Sequence, residues 1–221
     1  MRYVCLLWLL GAFAIQCDAQ SVKAVEWNQR GNTAFAQEKY GEAEQAYRRA
    51  LDLATDHHQA ARLWSNLAVA LKKQRQWREA AGAYEHSLKL RADSHEADTA
   101  DYAITLSNLA ETRCQLQQTE IAVALLRRAL RILESLPQPP QRDVAAVLNN
   151  FGVAKGRLGY YTAGARMLTQ ALRLKQSLYG PVHPEVRLTE ANLAALHREA
   201  ATVGGPSPYR VDVMEWTSNR R

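Results

Sequence analysis

Along most of this chain the apolar residues recur at three- and four-residue spacing. That is the period of an amphipathic helix, not the alternation of a strand. The stretches WNQRGNTAFAQ, TLSNLAETRCQL and RMLTQALRLKQSL each keep it over several turns. The pattern predicts helices near 22–36, 40–54, 58–74, 77–91, 97–116, 119–136, 142–157, 161–178 and 184–200. Pro137, Pro139 and Pro140 interrupt it between the sixth and seventh, because a prolyl residue lacks the N–H that continues a helix.

The pattern repeats. LWSNLAVAL (63–71), TLSNLAETR (105–113), VLNNFGVAK (147–155) and TEANLAALH (189–197) fall into register at a step of 42 residues. Asn66, Asn108, Asn150 and Asn192 share one column. Leu67, Leu109, Phe151 and Leu193 share the next, and Ala68, Ala110, Gly152 and Ala194 a third. Twelve residues after the small residue come Ala80, Ala122 and Gly164, then Ser87, Ala129 and Ala171 seven further on. An earlier unit keeps the same internal spacing with Gly31, Ala43 and Ala50, but only 37 residues separate Gly31 from Ala68. Small residues at fixed places in two consecutive helices let their backbones approach. Large neighbours, among them Trp27, Trp64, Trp77, Tyr47, Tyr84, Leu126 and Leu168, are expected to fill the space around each contact. Neither helix can bury its apolar stripe alone, so the units must stack. In VLNNFGVAKG, Gly152 is then the close-contact residue, while Gly156 and Gly159 are expected to lead into the turn.

These columns resemble the tetratricopeptide repeat. In WNQRGNTAFAQEKYGEAEQAYRRALDL, Trp27, Gly31, Tyr40, Ala43, Tyr47 and Ala50 stand at the family's signature places. The 42-residue units, with the linker GPVHP at Gly180–Pro184, resemble the longer repeats of kinesin light chain. The resemblance implies an all-α fold, a right-handed α-α superhelix of about four and a half helical hairpins. The third unit departs, with Thr119 where an aromatic is usual, which predicts a looser turn there. The fifth has a first helix alone, expected to act as a polar-faced cap.

The resemblance further implies that the first helix of each unit lines a concave groove, with Asn66, Asn108, Asn150 and Asn192 projecting into it. An amide both donates and accepts, so such a ladder suits the main chain of an extended peptide whatever its side chains. One turn along, Lys72, Lys73, Arg157 and Arg198 are expected beside it. Asn28, Gln29 and Asn32 come from the first unit, with Asn149 alongside. A polar, partly basic groove favours an acidic segment or a free C-terminal carboxylate. Asn149 lies about 100° around the helix from Asn150 and is expected to matter less. The alternative use of these amides is to bond a neighbouring helix and hold the stack together, making the chain a structural or oligomerising module.

Composition narrows the picture from other directions. The chain has 221 residues, 47% of them hydrophobic, and a net charge of +6 spread without a dense basic block. Residues 1–19 form a separate object. Arg2 precedes the 13-residue apolar run Tyr3–Ile15, too short to span a bilayer, and Cys17-Asp18-Ala19 ends in a small residue. This reads as a cleaved secretory signal, so the mature chain is expected to begin near Gln20 and to be secreted or periplasmic. Acylation at Cys17 is the weaker alternative, since Gln16 is large for a lipoprotein signal. Cleavage leaves Cys114 alone, so no intramolecular disulfide can form.

The six histidines, His57, His58, His86, His95, His183 and His197, include no pair three or four apart, so no metal or cofactor is expected. No phosphate loop or nucleophile elbow occurs, so neither catalysis nor a small-molecule substrate is expected. The densest basic cluster, Lys72, Lys73, Arg75 and Arg78, adjoins Trp77, but that ring occupies a packing column, which argues against nucleic acid. The domain is expected over 20–200, followed by a tail over 201–221 opened by Gly204-Gly205-Pro206.

Overall fold

The structure is a computed structural model and describes residues 20–202. The expected leader over 1–19 and the tail from 203 onward lie outside those residues. The described residues form nine helices and no strand. They fall into two compact units, divided between Gln118 and Thr119.

The first unit holds α1 (20–36), α2 (Tyr40–Asp52), α3 (His57–Lys73), α4 (Trp77–Asp93) and α5 (Ala100–Gln115). Each of α2 to α5 packs on the helix before it. Asp56 caps α3 by accepting a hydrogen bond from the Gln59 N–H at 2.7 Å, and Thr99 caps α5 through the Tyr102 N–H at 3.3 Å. Satisfying one orphan donor is enough to set where a helix begins, and α5 therefore starts at Ala100, not near 97.

The second unit holds α6 (Thr119–Ser135), α7 (Gln141–Arg157), α8 (Tyr161–Tyr179) and α9 (Pro184–Thr202). Here α7 packs on α6, α8 on α7 and α9 on α8, with α9 also touching α7. The helix expected to stop at 200 continues to Thr202. Among the described residues no helix is long and apolar enough to cross a membrane.

The hairpins close in one way. Glu38, Arg75, Gln117 and Gly159 have φ of 60°, 62°, 60° and 81°. The next N–H reaches back five residues each time: Lys39 to Ala34 O at 2.9 Å, Gln76 to Leu71 O at 3.0 Å, Gln118 to Arg113 O at 2.9 Å, Tyr160 to Lys155 O at 3.0 Å. This is a Schellman closure. It uses backbone groups only, so it does not need the aromatic that Thr119 replaces. The looser turn expected before α6 is therefore not found.

Each unit's core follows the repeat columns. Ala43, Ala68, Ala80 and Ala110 are fully buried in the first unit, as are Ala122, Ala129 and Ala171 in the second. Tyr47, Leu67, Tyr84 and Leu109, then Leu126, Leu148, Phe151 and Leu168, are buried around them. Such side chains are worth about 1.5–3 kcal/mol apiece when fully buried. Ser87, the polar member of a small column, donates to Ala61 O at 2.8 Å and meets Ser65 Oγ at 2.8 Å. The tryptophans differ from expectation. Trp27, Trp64 and Trp77 are only half-buried. Arg30 and Arg49 lie over Trp27, and His86 stacks on Trp64. Rings this large fit better at the edge of a narrow alanine-lined contact than inside it.

Gly156 also differs. It lies inside α7, buried, and a Cβ there would collide with Leu196 Cδ1. It makes room for α9. Only Gly159 belongs to the turn, with its left-handed backbone. In α9, Leu193 is half-buried while Ala194 and His197 are exposed. The columns that elsewhere meet a second helix thus face outward.

Candidate functional site

The amides predicted to form a ladder are built differently from a single row. In the first unit Asn66 Nδ2 donates to Asn28 Oδ1 at 3.0 Å, joining α3 to α1. In the second, Asn192 Nδ2 donates to Asn149 Oδ1 at 3.1 Å, joining α9 to α7. The geometry is the same in both. The column asparagine of one first helix meets the residue just before the column in the preceding first helix. Packed helices cross at an angle and are offset along their axes, so equal columns do not lie opposite one another.

This offset corrects the place given to Asn149. It is the buried member of its pair, 8% exposed, and its own Nδ2 lies 3.3 Å from Asn150 Oδ1. Asn150 is half-buried. Gln29, the true column residue of the first unit, is exposed, and Asn28 beside it takes the bond. Each bond also fixes which way the amide points. Asn66 and Asn192 give up one N–H and keep their carbonyl oxygens, while Asn28 keeps its NH2. A side-chain amide has two N–H groups and two lone pairs, so bonding a neighbour once leaves capacity for a ligand.

The other predicted residues divide. Asn32 accepts from the Tyr47 hydroxyl at 2.9 Å and so belongs to the α1–α2 contact. Lys72 is 16% exposed and pairs with Glu111 at 2.8 Å, which neutralises part of the expected basic character. Asn108 is half-buried; its backbone oxygen accepts from Thr112 Oγ1 at 2.9 Å. Lys73, Arg157 and Arg198 are exposed. The structure therefore brings together Asn28 with Asn66, and Asn149 with Asn150 and Asn192.

A second recurring pair went unseen in the sequence. Arg91, 4% exposed, lies 3.4 Å from Asp101 and 3.1 Å from Glu96. Lys175, 5% exposed, lies 2.8 Å from Glu185. Arg91 and Lys175 hold one column, Asp101 and Glu185 another, each pair of counterparts 84 residues apart, twice the repeat. That doubled period was the available signal. His58 Nδ1 lies 2.8 Å from Glu96. Its hydrogen bond, helped by Arg91, holds the Glu96 carboxyl below the usual carboxylate range. The hydrogen bond from Lys175 does the same for Glu185. These pairs join a second helix to the following first helix and are structural. Among the described residues no group of three His, Cys, Asp or Glu side chains could hold a metal ion.

Comparison with known proteins agrees with the repeat columns. Tetratricopeptide repeat models match residues 24–93 and 59–135, and another matches 144–185. No curated protein matches the chain. Among solved structures, BtubC (BKLC) from P. vanneervenii is similar at 23% identity and a TM-score of 0.66, covering 90% of this chain and 96% of that one. A Podosopora anserina protein of kinesin light chain type, with nearly identical TPR-like repeats, is similar at 15% identity and a TM-score of 0.67. It covers 82% of this chain and 89% of that one. A substituted form of that protein gives 15% and 0.68. At these identities the likeness shows the fold alone, the stacked helical hairpins of a solenoid.

Proposed function

The chain belongs to the tetratricopeptide repeat family, and from that premise we propose that it is an exported, non-catalytic adaptor that binds an extended peptide of a partner protein along its first helices. The family generally mediates protein–protein interaction. The observation that carries the reading is the oriented amide pair, Asn28–Asn66 in one unit and Asn149–Asn192 in the other. Asn is a poor helix former, so paired asparagines on helix interiors need a use. Their unspent carbonyl and NH2 groups match the alternating needs of a peptide main chain. Lys73, Arg157 and Arg198, exposed nearby in sequence, favour an acidic segment or a terminal carboxylate.

The test is a titration of acidic peptides ending in a free carboxylate against the mature chain and its Asn66→Ala and Asn192→Ala variants. Loss of one or two hydrogen bonds worth about 0.5–1.5 kcal/mol each lowers affinity roughly 2- to 150-fold. A second reading has a specific observation behind it. The amides bond each other between neighbouring helices, as a stack fastener would. In that case both variants lose stability in a melt while affinity, measured well below the transition, is unchanged. Export is tested separately: the N-terminal residue of the exported protein should lie near Gln20, and acylation at Cys17 would replace the cleaved-signal reading.

A further inference from the structure

In the first unit a buried hydroxyl lies near a carboxylate without bonding it. Tyr84 of α4 is 0% exposed, and its hydroxyl has no hydrogen-bond partner among the described residues. Leaving a buried donor unpaired is costly. The equivalent Tyr47, 37 residues earlier, donates to Asn32 of α1. In α3 the place of Asn32 is taken by Val69, which cannot accept, and in α5 by Glu111. Burial first, and then the negative charge of Glu111, push the Tyr84 phenol pKa up. The phenol therefore keeps its proton at neutral pH, and the carboxylate stands close enough to act on it. Glu111 is meanwhile engaged by Lys72 of α3 at 2.8 Å, with the ammonium side chain 16% exposed and the acid 44%. This pair runs along the same row of helices as the amides. Asn66 reaches back from α3 to α1, and Lys72 reaches forward from α3 to α5. Val69 stands three residues from each, and a three-residue step falls about 60° short of a full turn. The two pairs thus flank Val69 on one face of α3.

We propose that Glu111 gates this part of the groove by exchanging partners, a regulation that rests on the peptide reading above. In the free chain Glu111 holds Lys72. When an acidic side chain of the bound peptide takes Lys72, Glu111 turns and accepts the Tyr84 hydroxyl. Every ion then keeps a charge-assisted hydrogen bond in both states. The exchange also adds a bond, because the Tyr84 donor is unpaired only in the free chain. It draws Glu111 away from the incoming carboxylate, which its charge would otherwise repel. A neutral peptide offers Lys72 no counter-charge and leaves the gate shut. Glu111 and Tyr84 are therefore positioning residues: they select for acid through Lys72, without touching the peptide.

Urea melts without peptide test the exchange, and a titration tests its use. Lys72→Met takes away the cation, so Glu111 should hold the Tyr84 hydroxyl even in the free chain. Tyr84→Phe should then lower the folding constant about fivefold in the Lys72→Met chain, with no such loss in the native chain. The titration uses an end-blocked glycine–glutamate repeat peptide and its glycine–glutamine counterpart. Tyr84→Phe should weaken binding of the acidic peptide about fivefold and leave the neutral one unchanged. In a Glu111→Val chain, which copies Val69 of α3, Tyr84→Phe should change neither affinity. Equal effects of Tyr84→Phe in the native and Lys72→Met melts would overturn the gate, since Glu111 would not reach the hydroxyl. So would an acidic-peptide affinity that Asn66→Ala lowers and Tyr84→Phe does not, a result that leaves the peptide reading standing. Absence of binding of either peptide to the native chain would overturn that reading, and the gate with it.

Discussion

The hairpin of α1 and α2 and the hairpin of α7 and α8 place glycine in the same column and use it differently. A Cβ on Gly31 would meet Tyr47, 2.5 Å from Cε1 of the ring. A Cβ on Gly152 would lie 2.6 Å from Leu168 Cγ and 2.8 Å from Gly164 O, and one on Gly164 would lie 2.7 Å from Gly152 O. In the first hairpin glycine makes room for a side chain alone, and in the fourth it makes room for the Leu168 side chain and also lets two backbones meet. The column thus specifies close approach, while its partner decides how much a change costs. A ring can tilt; a carbonyl held in a helix ladder cannot move without its neighbours.

The largest effect should test that contrast directly. Gly164→Ala should cost about 3 kcal/mol by overpacking against backbone, and Gly31→Ala about 1 kcal/mol as the Tyr47 ring shifts. Urea melts of both variants check this, and equal losses would mean that the backbone approach in the fourth hairpin is not special.

The buried cations sharpen the comparison next. Glu185→Ala leaves Lys175 without its carboxylate and should cost about 1.5–2 kcal/mol, moderated because Glu185 itself is half-exposed. Glu96 and Glu185 both have carboxyls held below their ordinary value, so their stabilisation is present above that value and is lost as pH falls through the lower folded one. Melting temperature should drop in that acidic window, and Glu185→Gln should flatten the drop.

A smaller effect separates two tyrosines of one column. Tyr47 donates to Asn32. Tyr84 stands 37 residues later, but the place of Asn32 is taken by Val69, and the buried Tyr84 hydroxyl has no hydrogen-bond partner among the described residues. Burial pushes that phenol's pKa well up. Tyr47→Phe should cost about 1 kcal/mol, whereas Tyr84→Phe should be neutral or stabilising by up to about 1 kcal/mol. Matching losses in a melt would mean that Tyr84 is satisfied after all.

The smallest effect concerns the turns. Arg75 and Gln117 hold the left-handed backbone that Gly159 holds without strain. Arg75→Gly and Gln117→Gly should each gain about 0.5 kcal/mol, and Gly159→Ala should lose about 1 kcal/mol. A loss on introducing glycine at 75 or 117 would show that those side chains hold the turn through contacts of their own.

Much of this was legible in the residues. Helix positions, the 42-residue step, the buried alanine columns and the outward-facing α9 all follow from periodicity, because a stripe of apolar side chains must find a matching stripe. The residues that sit elsewhere than their spacing predicts share a cause. Asn149 is peripheral only if columns lie opposite one another at equal index, yet neighbouring first helices meet with a one-residue offset that only their crossing sets. Gly156 looked like turn punctuation because it stands three residues before Gly159, although its neighbour is Leu196, 40 residues away.

What the chain determined alone was local and periodic: which residues are helical, which face of each helix is apolar, and where two helices come close. What tertiary structure decided was pairing. Whether a glycine faces a ring or a carbonyl, and whether an asparagine bonds its equivalent or that residue's neighbour, depends on the axial offset between helices. So does whether a buried arginine finds an acid. That offset is the outcome of packing whole faces together, so no single column carries it.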